Sequence, residues 1–230
     1  TTYCIWNPVV TGRLLSPGFQ RKDPYHIRHM KDPARKRTNR DAILDATSQL
    51  LARSGYKKMT IEDLALKVGI GKGSVYLHFE SKEDIALSHI DRIISRLILN
   101  LWEIAKGEGS PEQRLRMMLL ERVLYRYDRV QHYSQSLDEM LAHLRPRLLE
   151  RRRKYFQNEA KAFAEVVREG KTDGSFDVKN PQQIALSLLD ATNAFLPYSL
   201  SATELGGRDD LEKKTKLIAD LLLKGLCRRN

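Results

Sequence analysis

Residues 59–82, MTIEDLALKVGIGKGSVYLHFESK, decide the fold. Thr60 can cap a short helix that starts at Ile61 and carries Glu62 and Asp63 in its first turn. A hydroxyl cap and early negative charge both satisfy the free amides of a helix N-terminus. Leu64, Ala65 and Val68 give that helix one apolar face, Gly69 breaks it, and Ile70 turns back toward a core. Gly71, Lys72, Gly73 and Ser74 then open a second short helix that should end near Phe79. Two short helices joined by a tight glycine-containing turn make a helix-turn-helix, whose second helix can enter a DNA major groove. The paired glycines at its entrance would let backbone amides come close to a sugar-phosphate strand.

The spacing resembles the DNA-reading motif of the TetR/AcrR family of bacterial transcriptional regulators. That pattern has a Thr before the first helix, an apolar-Gly-apolar turn, Lys-Gly-x-x-Tyr, an aromatic-rich end and Ser-Lys-Glu opening the next helix. Here these are Thr60, Val68-Gly69-Ile70, Lys72 to Tyr76, His78-Phe79 and Ser81-Lys82-Glu83. Gly71 departs from the small polar cap usual at that point, so one side-chain phosphate contact is not expected from it. The resemblance implies an all-α homodimer. A three-helix reader over 39–82 would be joined by a long helix to a regulatory and dimerisation domain over 83–230. The function implied is a ligand-responsive repressor that binds a near-palindromic operator in double-stranded DNA. The competing classes are a helical ligand-binding protein or a helical enzyme whose reader no longer functions.

Outward from the motif, the charge supports the resemblance. The net charge is +11, and residues 1–82 hold 15 Lys and Arg against 7 Asp and Glu, while the rest holds 25 against 22. The positive excess therefore travels with the motif, as phosphate binding requires. An ordinary basic tail is the competing explanation. Residues 1–38 mix four prolines with scattered basic residues, show no helical period and read as a disordered basic tail. Met30 reads as a candidate natural start; the resemblance implies a basic arm that can touch DNA, here Arg35, Lys36, Arg37 and Arg40, and a merely solubilising tail is the alternative.

Residues 39–54 read as the first helix, capped by Asn39 and ended by Ser54-Gly55. Ser81 caps a long helix to about Ala105, roughly 36 Å at the usual rise per residue. Further helices are expected over 111–128, around Leu137 to Leu144 and stopped by Pro146, then over 147–169, 181–200 and 208–227. No strand and no internal repeat is expected.

In the reading helix, Lys72, Ser74, Val75 and His78 are the candidates for base edges, with Lys72 on guanine acceptors and Val75 on a thymine methyl. Tyr76 is a candidate phosphate contact, or else a cover for the small core beside Phe79. Lys82 opposes the dipole of the helix it opens, which a phosphate would compensate, though a long side chain can also simply reach water. Thr60, Gly71, Gly73 and Arg40 complete the expected DNA surface. The 181–200 segment is apolar nearly all round, through Ile184, Leu188, Ala191, Phe195 and Tyr198 and their neighbours, so it should be buried on two sides. With the last helix it is the expected dimer face; the central helix of a monomeric bundle is the other reading. Asp190 and Asn193 share a face there and need partners, from a ligand, a buried network or the dimer. Trp102, Met118, Tyr125, His132 and Phe163 are candidates to line an adjoining effector cavity, although such residues at helical spacing also build plain core.

No catalytic constellation appears. The six histidines are scattered, no metal-ligand spacing is present, and no glycine-rich loop follows a strand, so neither a metal nor another cofactor is expected. Cys4 and Cys227 form no disulfide framework, which fits a reducing cytoplasm. No apolar run is long enough for a membrane span. The Arg151 to Lys154 run reads as a solvated helix edge.

Overall fold

A computed structural model of the chain describes residues 38–197 and 205–227. The arm residues 35–37, the tail aromatics, Met30, Cys4 and Tyr198 lie outside the described residues. Eight α-helices run through the described part: α1 Asn39–Lys58, α2 Ile61–Val68, α3 Lys72–Tyr76, α4 Lys82–Ala105, α5 Pro111–Val130, α6 Ser134–Thr172, α7 Pro181–Thr192 and α8 Arg208–Lys224. Single 3-10 turns, Gln131–Tyr133 and Asn193–Phe195, follow α5 and α7. Extended pairing among the described residues is limited to one isolated bridge between Phe176 and Cys227.

Caps define the starts. Thr38, not Asn39, caps α1 by accepting from the Asp41 amide at 3.2 Å, so the cap lies one residue earlier than expected. Gly55 is the break in α1: its φ of 79° is left-handed, and the chain adds a final turn only beyond it. Thr60 and Asp63 form a reciprocal capping box on α2, and Ser81 caps α4. Ser110 and Gln113 do the same for α5, where Pro111 occupies the first turn that needs no amide donor.

Two expected boundaries are corrected. Pro146 does not end a helix but lies inside the continuous α6. Proline removes one backbone donor and crowds the preceding turn. The helix continues because both flanks are anchored: Leu137, Met140 and Leu144 in one core, Ala160, Phe163 and Val167 in another. The segment from Pro181 stops being α-helical at Thr192 and tightens into the 3-10 turn, well before residue 200.

Those two cores organise the body. The first gathers Leu44, Leu51, Tyr56, Leu64 and Val75 from α1 to α3, and Phe79 just beyond α3, with Ile85, Ile90 and Ile94 of α4 and the N-terminal half of α6. The second gathers Leu97, Leu101, Leu119, Phe163, Val167, Leu188 and Leu223 from α4 to α8. Helix α4 thus contributes its first half to one core and its second half to the other.

Candidate nucleic-acid interface and interior cavity

The reader is built locally. Gly69 adopts a left-handed φ of 76°, and its amide and that of Ile70 both bond back to the Ala65 carbonyl, which reverses the chain within two residues. Helix α3 has only five residues, so it has one inward position. Val75 takes it and is fully buried with Phe79. This corrects its expected role: a side chain filling the core of a one-turn helix does not face a groove. The outward residues are Lys72, Gly73, Tyr76 and His78, with Ser74 half-buried.

Gly71 and Gly73 have ordinary backbone angles, and a Cβ built on either meets nothing within 4 Å. Nothing among the described residues therefore demands glycine at these points, whereas close approach by an external backbone would. Leu77 is 83% exposed between Tyr76 and His78, an outward apolar residue that the sequence reading missed. Its signal was available: with Val75 and Phe79 inward, position 77 must lie on the opposite side.

Several candidate side chains already have partners. Lys72 is ion-paired with Glu62 across the motif. Their hydrogen bond, with the attraction between the charges, raises the pKa of Lys72 and lowers that of Glu62. Lys82 donates to the Lys57 carbonyl at 3.2 Å and lies over the Tyr56 ring, 4.6 Å from its centroid. Arg40 lies 5.0 Å from the centroid of Phe79. Thr60 is occupied in its cap, donating to Asp63 Oδ2 at 2.7 Å.

Cross-helix ion pairs brace α4 against α1 of the reader on one side and α6 on the other. Arg92 of α4 pairs with Asp45 of α1 at 2.8 Å and donates to the Asp41 carbonyl at 3.2 Å. Arg151 of α6 pairs with Asp91 of α4. Between these lies His89, buried against α1; burial first and the Arg92 charge second push its pKa down to about 4.

The interior holds a charged cluster that was not expected. Arg122 of α5 donates to Glu159 of α6 at 2.7 Å, to the Leu189 carbonyl at 3.1 Å, to Thr192 at 2.6 Å and to Asn193 at 2.8 Å. Arg126 pairs with the other oxygen of Glu159. Burial alone would raise the Glu159 carboxyl, but Arg126 and Arg122 more than reverse this, and its pKa is lowered. Burial drives the Arg122 guanidinium down to about 10, against the opposing pull of Glu159.

This cluster lines a cavity of about 100 Å³ whose other walls include Ile90 and Ile94 of α4 and Leu141, Leu148, Tyr155 and Phe156 of α6. An open cleft of about 690 Å³ between α6 and α7 shares Leu149, Arg152, Phe156 and Asn193 with it. Of the expected cavity residues, only Asn193 and Asp190 are found here, Asn193 lining both spaces and Asp190 the open cleft. Asn193 is held in a network, accepting from Arg122 and donating to Asp190 at 3.2 Å. Met118 and Phe163 are fully buried in the second core, and Trp102 packs against it. Tyr125 is buried in that core with Arg129 over its ring, and His132 is exposed in the 3-10 turn. These five residues do not line either space.

Residues 43–88 match the model of the tetR family of bacterial regulatory proteins, and residues 108–197 match that of a tetracyclin repressor-like C-terminal domain. The chain belongs to the TetR family. Among TetR-family relatives it is similar to the HTH-type transcriptional repressor KstR2 of Mycolicibacterium smegmatis, with 27% identity over 63% of this chain and 70% of that one. Its fold matches a transcriptional regulator from Cytophaga hutchinsonii with a TM-score of 0.66 at 19% identity, covering 81% of this chain and 97% of that chain. It also matches the transcriptional regulator FadR from Bacillus subtilis in complex with stearoyl-CoA, with a TM-score of 0.61 at 17% identity over 80% and 98% of the two chains. The TetR family consists of DNA-binding transcriptional regulators, which agrees with the helix-turn-helix. Among the described residues no helix is long and apolar enough to cross a membrane, and no group of metal-ligating side chains is present.

Proposed function

We propose that this TetR-family regulator acts as a homodimeric repressor on a near-palindromic operator and is released by a small molecule bound in the α4–α5–α6 cavity. The observation that carries the cavity's role is its shared wall. Ile90 and Ile94 line the cavity and also belong to the core that holds the reading helices. A molecule that changes the α4 to α6 spacing therefore acts directly on the reader's packing. The reading surface is formed by Lys72, Gly73, Ser74, Tyr76, Leu77 and His78, with Gly71, Lys82, Arg40 and Thr60 at its edge. Pairing is supported by the apolar side of α7, the 3-10 turn after it and α8, where Ala191 and Ala194 are exposed and Leu217 and Leu221 are 62% and 59% exposed. Two-fold pairing places two reading helices about one DNA turn, or a multiple of it, apart.

The test is selection of bound fragments from random-sequence DNA. A near-palindrome is expected, and its affinity should fall steeply with salt. Ala191→Arg should give folded monomers that bind the palindrome far more weakly, because an unpaired charge in the contact is costly. Lys82→Ala should lower the salt slope by about one unit. Selection of no sequence, or a dimer that survives Ala191→Arg in sedimentation, overturns the reading. An effector must also bind the released arrangement better than the operator-bound one, since equal affinity shifts nothing.

A further inference from the structure

Two buried guanidiniums share one carboxylate. Arg122 and Arg126 are 1% and 3% exposed, and both pair with Glu159, itself 1% exposed. One positive charge therefore has no counter-ion among the described residues, in an environment where unpaired charge is expensive. All three nitrogens of Arg122 donate, to four acceptors between them. Arg126 is less fully engaged: Nη1 donates to the Arg122 carbonyl at 2.9 Å and Nη2 to Glu159, but its buried Nε has no acceptor among the described residues. The buried Tyr155 hydroxyl on the same cavity also has no partner among the described residues. Arg145 and Arg152 add two further cations to the lining, and neither makes an ion pair among the described residues. The adjoining cleft adds Arg153 and Lys161 against only Asp190. Apart from Asn193, which Arg122 already engages, the remaining cavity walls are aliphatic and aromatic.

We propose that the effector is an amphipathic organic anion, its carboxylate or phosphate held by Arg126, Arg145 and Arg152 and its apolar part set against Ile90, Ile94, Leu141 and Phe156. The surplus positive charge and idle donors supply what an anion needs, and charge-assisted hydrogen bonds to guanidinium are the strong ones. The apolar wall on α4 converts occupancy into pressure on the reader core. This inference rests on the regulator reading for its consequence, the release of DNA, but not for the binding itself.

The full chain would be titrated by calorimetry, without DNA, with dodecanoate, dodecyl phosphate and neutral dodecanol, each below its micelle concentration. At least one anion should bind ten times or more tightly than dodecanol, and the two anion arms separate carboxylate from phosphate recognition. Arg126→Met leaves Arg122 and Glu159 as a neutral pair, so its ligand-free melting temperature should not fall while anion affinity drops tenfold or more. Arg145→Gln, at an exposed position, should weaken the anion several-fold and leave dodecanol unchanged. Equal binding of the alcohol and both anions, no binding of either anion, or unchanged anion affinity in both variants overturns the inference. Operator affinity is then read separately. An anion that binds without changing it supports the anion site and removes the release mechanism; selection of a palindrome with no anion bound removes the anion site and leaves the DNA reading intact.

Discussion

The two cores of this chain are built on different terms. Around the reader, the buried set is almost entirely apolar, from Leu44 and Leu64 to Val75 and Phe79, with Thr47 satisfied by its own helix through the Ile43 carbonyl at 2.8 Å. In the body, Arg122, Arg126 and Glu159 are enclosed beside Phe163 and Leu189. An apolar core needs only the right size and pattern to hold its shape. A core containing charge needs every partner in place, and a site that retains an unmatched charge is costly unless something else uses it. The reader thus has a self-sufficient interior and keeps its chemistry on the outside; the body keeps its chemistry inside.

The sharpest way to break this contrast is Glu159→Gln. Arg122 and Arg126 would then be buried together with no carboxylate, and loss of one partner from a buried pair typically costs about 3–5 kcal/mol. Chemical denaturation should show a loss in that range, with the body melting before the reader. A change near zero would mean that water reaches the cluster and that the body core is not a dry charged one.

The contrast also explains what could be read from the sequence. The helix-turn-helix is specified by near neighbours: Thr60 and Asp63, Gly69, then Gly71 to Tyr76. Its fold and most of its outward face were therefore legible, apart from Val75, whose inward turn follows only once α3 is known to be a single turn, and Leu77, which that turn sends outward. The charged cluster joins residues far apart in the chain, on α5, α6 and α7, so local spacing hides it. Arg122 and Arg126 four residues apart look like a solvated helix edge. A faint signal existed, because Leu115, Leu119, Arg122, Arg126 and Val130 form one helical stripe, and all five are buried. Charges interrupting an inward stripe mark an interior site. Pro146 misled for a related reason: its local cost is real, but anchoring at both flanks outweighs it.

A second prediction concerns the seam between the regions. The His89 pKa is lowered from 6.5 to about 4 by burial and by Arg92, with Asp45 and a bond involving the Leu44 backbone opposing. Below pH 6.5 the unfolded chain takes up a proton that the folded one refuses. Stability from this group is therefore fully present above pH 6.5 and is lost as pH falls toward 4, by about 3 kcal/mol in total. Carboxylates contribute to acid unfolding as well, so the measurement is the difference between wild type and His89→Gln. The variant should have the flatter stability profile between pH 6.5 and 4. Parallel profiles would show that the seam around His89 is open to water.

A third prediction is smaller and confined to the reader. Thr60→Ala removes the cap of α2, including its bond from the Asp63 amide at 3.1 Å. Such caps are typically worth about 1 kcal/mol. Denaturation should report a loss of that size, while the buried charge cluster leaves anion binding unaffected. A change in anion affinity would mean that the two regions are coupled even at the far end of the motif.

The smallest effect on stability separates folding from function most cleanly. Gly73 lies in α3 with ordinary backbone angles and open space where a Cβ would go. Glycine in a helix costs roughly 0.5–1 kcal/mol relative to alanine, because the unfolded chain loses more freedom. Gly73→Ala should therefore leave the protein as stable as before or slightly more stable. On DNA the sign reverses. If the bare backbone at Gly73 faces a sugar-phosphate strand, the added methyl holds that strand away and operator affinity falls, while ligand binding in the body is unchanged. The variant thus pits the protein's own packing against the proposed interface at a single carbon atom. A stabilised Gly73→Ala that still binds operator at full affinity would show that this edge of α3 does not meet DNA, and the reading surface would then have to shift toward Tyr76, Leu77 and His78.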